Sequence, residues 1–168
     1  MNYSWIERLT RISGLFGAYL FFCIGLIISY EVSARYIFNM PTIWVEEVSR
    51  LLQLWGCYLS MAWVLKQRKI IRITILLERL SGIGAKLAEL VSISIIALFS
   101  LVTIYYASLI TYDSIELNRH TSSMLGLPSW LFEASIVFGF VLLFLQCLAE
   151  FVKVTKQDTV RFSGEHDI

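Results

Sequence analysis

The sequence predicts an all-α membrane protein with four transmembrane helices, and three observations lead to this fold class. Hydrophobic residues make up 57% of the 168 positions and charged residues only 16%, whereas soluble domains carry about 25% charged residues. Four segments are long and apolar enough to cross a bilayer, which takes roughly 20 residues in a helix. Both prolines, Pro41 and Pro128, fall between these segments, where they do not interrupt a helix.

The four predicted spans follow one another along the chain. They cover residues 12–34, 44–65, 87–111 and 130–152, and the second is the least apolar. Pro41 and Pro128 stand just ahead of spans two and four, near the first turn of a helix, where the missing N–H of proline costs no hydrogen bond. We therefore expect a single four-helix transmembrane domain over residues 1–152 and a polar cytoplasmic tail over residues 153–168.

The distribution of lysine and arginine predicts the orientation. Eleven of the 14 cations lie in the N-terminal segment, the connection between spans two and three, or the tail, and the other three are Arg35, Arg50 and Arg119. Because cytoplasmic loops carry an excess of positive charge, we expect both termini and the 2–3 connection in the cytoplasm. A cleaved signal peptide is the alternative for span one, but its apolar run exceeds the usual length of about 7–15 residues.

The connection between spans two and three has a pattern of its own. Residues 66–80 alternate cations with isoleucine and leucine, and the cations nearest span two are Lys66, Arg68, Lys69 and Arg72. This alternation is typical of an amphipathic segment that lies on the membrane surface with its cations near lipid head groups. A plain extension of span two into the cytoplasm is the alternative.

Each span also carries a stripe of small or polar residues at helical spacing, a pattern typical of faces where membrane helices pack together. The stripes comprise Gly14, Ala18, Gly25, Ser29 and Ser33 in span one; Glu46, Arg50, Gln53, Cys57 and Ser60 in span two; Glu89, Ser92, Ser100, Thr103, Ala107 and Thr111 in span three; and Ser135, Gly139, Gln146 and Glu150 in span four. The opposite faces are rich in Leu, Ile and Phe, and suit lipid or an apolar partner.

Several function classes are disfavoured by what the spans do not contain. Autonomous ion-coupled transporters tend to have broken helices and ionisable groups near the membrane centre, whereas the charged residues here lie near the span ends. His120 and His166 fall outside the spans, so no axial pair for a haem is available. The three cysteines lie far apart and indicate neither a metal site nor a disulfide. We expect no enzyme, no cofactor and, without a basic solvent-facing surface, no nucleic acid partner.

Charged residues cluster at the hinge between spans one and two. Glu31 precedes Arg35 by four residues. Glu46 and Glu47 precede Arg50 by four and three residues, and oppositely charged residues at these spacings meet on a helix. Two glutamates near one arginine leave a negative charge in surplus. Two arrangements remain open: Arg35 supplies a second cation across the hinge, or the network is shared with another chain.

The hinge resembles a known signature. The stretch RYIFNMPTIWVEEVSRLLQLW, residues 35–55, is similar to that of the small membrane subunit of tripartite ATP-independent periplasmic (TRAP) transporters. The matching positions are Arg35, Tyr36, Asn39, Pro41, Trp44, Glu46, Glu47 and Arg50. LGLPSWL, residues 125–131, resembles the family's entry to span four. The chain departs from the family at residues 70–74, which read IIRIT where the family often has His-Ile-Arg-Val-Asp, and it lacks a proline common within span four.

The resemblance implies a function. Such subunits pair with a large multi-span membrane subunit that carries substrate and sodium, while a periplasmic binding protein delivers the substrate, typically an organic acid. The chain would then be a non-catalytic scaffold surrounded by lipid in the bacterial inner membrane. The residues expected to form the helix hinge and a partner surface, rather than a substrate site, are Arg35, Tyr36, Trp44, Glu46, Glu47 and Arg50. The alternatives are an independent homo-oligomeric transporter or channel, which works without a partner, and a membrane redox protein, which holds a chromophore.

Overall fold

The computed structural model describes residues 3–67 and 83–156, which form four long helices. They are α1 (Tyr3–Ile37), α2 (Trp44–Lys66), α3 (Ile83–Glu116) and α4 (Trp130–Lys156). The described residues contain no strand, only an isolated bridge between His120 and Pro128. The predicted all-α fold with four helices is confirmed.

The four helices differ in how well they suit a membrane. By length and composition, α1, α3 and α4 can each cross a bilayer. α2 has 23 residues, which is long enough, but it is not among these candidates. Polar side chains such as Arg50, Gln53 and Ser60 lower the hydropathy of α2 even beyond the two glutamates of its first turn. The prediction of four apolar spans is therefore confirmed for three helices, and α2 stands apart.

α1 and α3 extend beyond the spans that hydropathy predicted. α1 begins at Tyr3 rather than at residue 12, and its added turns carry polar residues such as Glu7 and Arg11. α3 continues to Glu116 rather than ending at residue 111. The hydropathy of a segment falls where charged residues begin, but charged residues do not end a helix.

The α1–α2 connection and the α3–α4 connection lie at one end of the molecule, which we call the hinge end. The opposite end contains the start of α1 and the end of α4, and we call it the terminal end. At the hinge end, α1 gives way to a turn in which Asn39 has a φ of +52° and the Met40 N–H donates to Ala34 O at 3.0 Å. Asparagine tolerates this left-handed conformation. The connection between α3 and α4 contains two more such residues, Asn118 at +45° and Gly126 at +60°.

The helices pack in the order α1–α2–α4–α3. α2 lies between α1 and α4, and within the described residues α3 packs only against α4. Accordingly, 44% of the residues in the apolar stretch of α4 are buried, compared with 17% of those in the apolar stretches of α1 and α3. Long apolar side chains are left exposed on α1, such as Phe22 and Leu26, and on α3, such as Leu98 and Phe99.

Glycines allow the closest helix approaches. A Cβ added to Gly17 on α1 would lie 2.2 Å from the hydroxyl oxygen of Ser60 and 2.8 Å from the backbone oxygen of Gly56, both on α2. One added to Gly139 on α4 would lie 2.5 Å from the Cβ of Tyr58 on α2. Helix crossings at small residues are the usual way in which membrane helices approach closely.

An apolar core and an apolar groove lie where α2 and α3 face each other across α4. The buried core residues are Leu65, Ile93, Phe140, Leu143, Cys147 and Val154. Because α2 and α3 do not pack directly, a groove of about 610 Å³ remains between them, and its lining includes Met61, Phe99 and Leu143. This groove provides an apolar surface in the middle of the molecule.

Candidate functional site

Glu31 ties the end of α1 to the start of α2. Its buried carboxylate accepts hydrogen bonds from Arg35 Nη2 at 2.7 Å and from the Thr42 N–H at 3.1 Å, and a further one from the Thr42 hydroxyl. The Glu31–Arg35 pair expected from the spacing is thereby confirmed. Arg35 is therefore paired within its own helix and does not supply the second cation to the glutamates of α2.

The two glutamates at the start of α2 have different surroundings. Glu46 pairs with Arg50 at 2.8 Å, and both side chains are largely exposed. Glu47 is only 5% exposed, and its Oε1 accepts a hydrogen bond from the Leu125 N–H at 3.3 Å. Its Oε2 is buried and has no hydrogen-bond partner among the described residues. The surplus carboxylate predicted at the hinge is thus Glu47.

The expected contact between Glu47 and Arg50 is wrong. Consecutive residues on a helix differ by about 100° in direction, so Glu46 and Glu47 lie on either side of the direction of Arg50. Arg50 turns towards Glu46, which is four residues away, while Glu47 points to the connection between α3 and α4. Spacing alone allows both pairs, and the packing of the connection against α2 decides between them.

The aromatic residues of the hinge lie on its surface. Trp44 stacks on Tyr30, with ring centroids 6.4 Å apart, so the first residue of α2 contacts the last turns of α1. Tyr36 is 77% exposed. Trp55 lies about three turns after Trp44 on α2. It donates from Nε1 to Leu131 O at 3.1 Å and so joins α2 to the start of α4.

The hinge residues surround a cavity of about 590 Å³, which we call the hinge cavity. Its lining brings together five of the charged residues singled out at the hinge, with Ser49 and Gln53 from α2 and Ser123 and Met124 from the α3–α4 connection. The charged members are Glu31, Arg35, Glu46, Glu47 and Arg50. Tyr36 and Trp44 are not part of this lining.

A second polar network lies at the terminal end, and sequence reasoning missed it. Glu7 of α1 is 3.5 Å from Lys66 Nζ of α2 and also pairs with Lys153 of α4. Lys153 in turn lies 3.2 Å from Glu150. This network joins three helices. Every contact to Glu7 comes from a residue far away in the sequence, so no local spacing could indicate it.

The same network continues into the interior. Gln146 donates from Nε2 to Glu150 at 3.0 Å and accepts from the Thr10 hydroxyl at 3.0 Å. Thr10 and Gln146 are almost fully buried. Gln146 and Glu150 belong to the stripe predicted on span four, but their partner on α1 does not belong to any predicted stripe.

The predicted membrane-surface cations are only partly described. Lys66 lies over the ring of Trp63, 5.6 Å from its centroid, as well as beside Glu7. Arg68, Lys69 and Arg72 lie outside the described residues, as do all the other positions from 68 to 80. The role of this segment at a membrane surface remains a prediction.

The described residues offer no group of three or more His, Cys, Asp or Glu side chains suited to hold a metal ion. His120, in the α3–α4 connection, is exposed and its Nδ1 lies 2.9 Å from Gly126 O. The contacts that the site does show are salt bridges and hydrogen bonds at helix ends.

These features define a small helical membrane protein whose charged residues lie at the helix ends. The family model described as "Tripartite ATP-independent periplasmic transporters, DctQ component" matches residues 24–157. The chain belongs to this family, which provides the small membrane component of TRAP transporters, and the resemblance seen at the hinge is confirmed. The family is a transporter component and not a known family of enzymes. No curated protein matched the chain.

Proposed function

We propose that this chain is the scaffold subunit of a sodium-coupled, binding-protein-dependent transporter in the bacterial inner membrane. A large membrane subunit carries sodium and an organic acid, and a periplasmic binding protein delivers the acid. The chain itself binds neither sodium nor the organic acid, and it catalyses no reaction. It enlarges the fixed part of the transporter against which the transport domain of the large subunit moves.

The central parts of the helices support a role without ion transport. Residues that bind or relay ions inside membranes are ionisable groups on helices that line the pathway, and transporter helices are often discontinuous at such sites. The four helices here are each continuous over their described length. Their centres contain no Asp, Glu, Lys, Arg or His over residues 12–30 in α1, 51–65 in α2, 90–112 in α3 and 134–149 in α4.

The exposed polar face of α2 is the observation that carries the proposal. Glu46 and Arg50 are largely exposed, and so are Gln53 and Cys57 on the following turns. Polar and charged side chains are costly against lipid. A protein partner that covers this face removes the cost, and a large membrane subunit is the partner that the family provides. The hinge residues then serve the contact between subunits.

The orientation completes the proposal. Both termini lie in the cytoplasm, so the hinge end faces the periplasm, where the binding protein docks on the transporter. The segment at residues 66–80 lies on the cytoplasmic membrane surface, and the tail predicted at residues 153–168 lies in the cytoplasm, although its first residues, 153–156, still belong to α4. The excess of cations towards the terminal end supports this orientation.

Co-purification tests the proposed partnership. The affinity-tagged chain, co-expressed with its large membrane subunit and extracted in mild detergent, is expected to elute with that subunit in a fixed ratio. An unrelated tagged four-helix membrane protein serves as the control and should not retain the large subunit. Elution of the chain as a homo-oligomer, with the large subunit in separate fractions, would instead support an independent transporter or channel.

A further inference from the structure

The hinge cavity contains more negative than positive groups. Its lining includes three carboxylates, of Glu31, Glu46 and Glu47, and two guanidinium groups, of Arg35 and Arg50. Two of the carboxylates have their own cation: Glu31 pairs with Arg35, and Glu46 pairs with Arg50. Glu47 is the third, so the cavity has an excess of one negative charge when all five groups are ionised.

Two buried oxygens in this lining also lack hydrogen-bond partners among the described residues. They are Glu47 Oε2 and the hydroxyl oxygen of Ser49, and both residues are more than nine-tenths buried. A carboxylate taken out of water without a counter-charge is strongly disfavoured. Buried polar atoms in folded proteins nearly always have a partner. The cavity therefore lacks a group that brings a positive charge and hydrogen-bond donors.

We propose that a lysine or arginine side chain of the large membrane subunit enters the hinge cavity and donates a hydrogen bond to Glu47 Oε2. This inference rests on the proposed function, since it needs that subunit as a neighbour. A Lys or Arg head group carries one positive charge and several N–H donors, which matches the charge excess and the unpaired carboxylate oxygen. The cavity adjoins the exposed Glu46 and Arg50 side chains of α2, so it is continuous with the proposed contact face.

A bound metal cation fits the cavity less well. Hard divalent cations take about six or more oxygen ligands. The carboxylates of Glu31 and Glu46 are already paired, and only the two oxygens of Glu47 and Ser49 are buried without a partner in this part of the described chain. One basic side chain needs no further ligands from the cavity wall.

Glu47→Gln tests the proposal, with Glu133→Gln as the matched control. Glu133 also has one buried oxygen without a partner and one that accepts a hydrogen bond, from Ser114, but it does not line the hinge cavity. With the large subunit tagged, Glu47→Gln should lower the amount of chain retained at least tenfold. Glu133→Gln should retain the wild-type amount. Wild-type retention by Glu47→Gln would overturn the proposal while leaving the proposed function intact, whereas failure of the wild-type chain to co-purify would count against the proposed function.

The isolated chain distinguishes a contact with the partner from a structural role. Without the large subunit, Glu47→Gln removes an uncompensated buried charge, so its melting temperature in detergent should equal or exceed that of the wild type. A lower melting temperature would show that Glu47 supports the fold itself, and would overturn the proposal. A second result would also overturn the proposal, because it would indicate a bound cation. In that result, the melting temperature of the wild type is higher in sodium chloride than in choline chloride, and the melting temperature of Glu47→Gln is the same in both salts.

A cysteine at position 53 provides an independent test, because Gln53 lines the hinge cavity and is exposed in the isolated chain. In a chain whose three native cysteines are replaced, Gln53→Cys should react with the small cationic reagent 2-aminoethyl methanethiosulfonate when the chain is alone. In the complex, the reaction should slow at least tenfold because the side chain of the partner fills the cavity. Equal rates in the two samples would contradict an occupied cavity.

Discussion

Gly139→Ala should lower the free energy of unfolding by about 1–3 kcal/mol, the usual cost of adding a group to a packed interior. The added Cβ would lie 2.5 Å from Tyr58 Cβ and 2.7 Å from the backbone oxygen of Tyr58. Because a backbone atom cannot rotate away, α2 and α4 must separate at their crossing. α4 packs against all three other helices, so the loss spreads through the domain. Unfolding of the purified chain by SDS in mixed micelles, followed by circular dichroism, measures the change.

Gly25→Ala is the control for this prediction. Gly25 also lies within a membrane helix, but a Cβ added there meets nothing within 4 Å. Alanine has a helix propensity about 1 kcal/mol better than that of glycine, so this variant should be as stable as the wild type or slightly more stable. A similar loss of stability in both variants would show that the crossing at Tyr58 is not the cause.

Thr10→Val should also be strongly destabilising. The Thr10 hydroxyl lies 3.0 Å from Gln146 Oε1 and 2.9 Å from Ile6 O of its own helix, and Thr10 and Gln146 are 1% and 0% exposed. Removal of the hydroxyl leaves a buried amide oxygen without this donor, which costs about 1–3 kcal/mol. The shape of the side chain is nearly unchanged, so the loss reports the hydroxyl and its two hydrogen-bond contacts. The same SDS titration measures it.

A double-mutant cycle with Gln146→Leu identifies the contact. The double variant lacks both partners, so its cost should fall short of the sum of the single costs by about 1 kcal/mol. If the two single costs simply add, Thr10 and Gln146 do not interact. Glu150 loses the Gln146 donor in both variants that carry leucine but keeps Lys153 at 3.2 Å, so this secondary effect cancels in the cycle.

The helices were predictable because a membrane span needs a long apolar run, which hydropathy reveals directly. Which face of each helix is buried was less predictable. On α4 the predicted stripe is buried throughout, since this helix packs against three neighbours. On α2 the equivalent stripe is largely exposed, from Glu46 to Cys57, and Gly56 lies in the buried face instead. Periodicity identifies a polar face but does not indicate whether it faces the same chain or a partner.

The site was predictable to the extent that its contacts are local. The pairs of Glu31 with Arg35 and of Glu46 with Arg50 follow from spacing on one helix. The contact from Leu125 to Glu47 spans 78 residues, and the network around Glu7 joins both ends of the chain. Such contacts depend on how the helices pack and on which end of each helix they share, and a single sequence does not encode this in any local pattern.

Transport by reconstituted vesicles tests the central proposal most directly. Proteoliposomes with an inward sodium gradient would contain this chain alone, the large subunit alone, or both, each with the binding protein loaded with its radiolabelled organic acid. The scaffold role predicts sodium-dependent uptake with both subunits, and uptake no higher than that of protein-free vesicles with this chain alone. Sodium-dependent uptake by this chain without the large subunit would contradict the proposal.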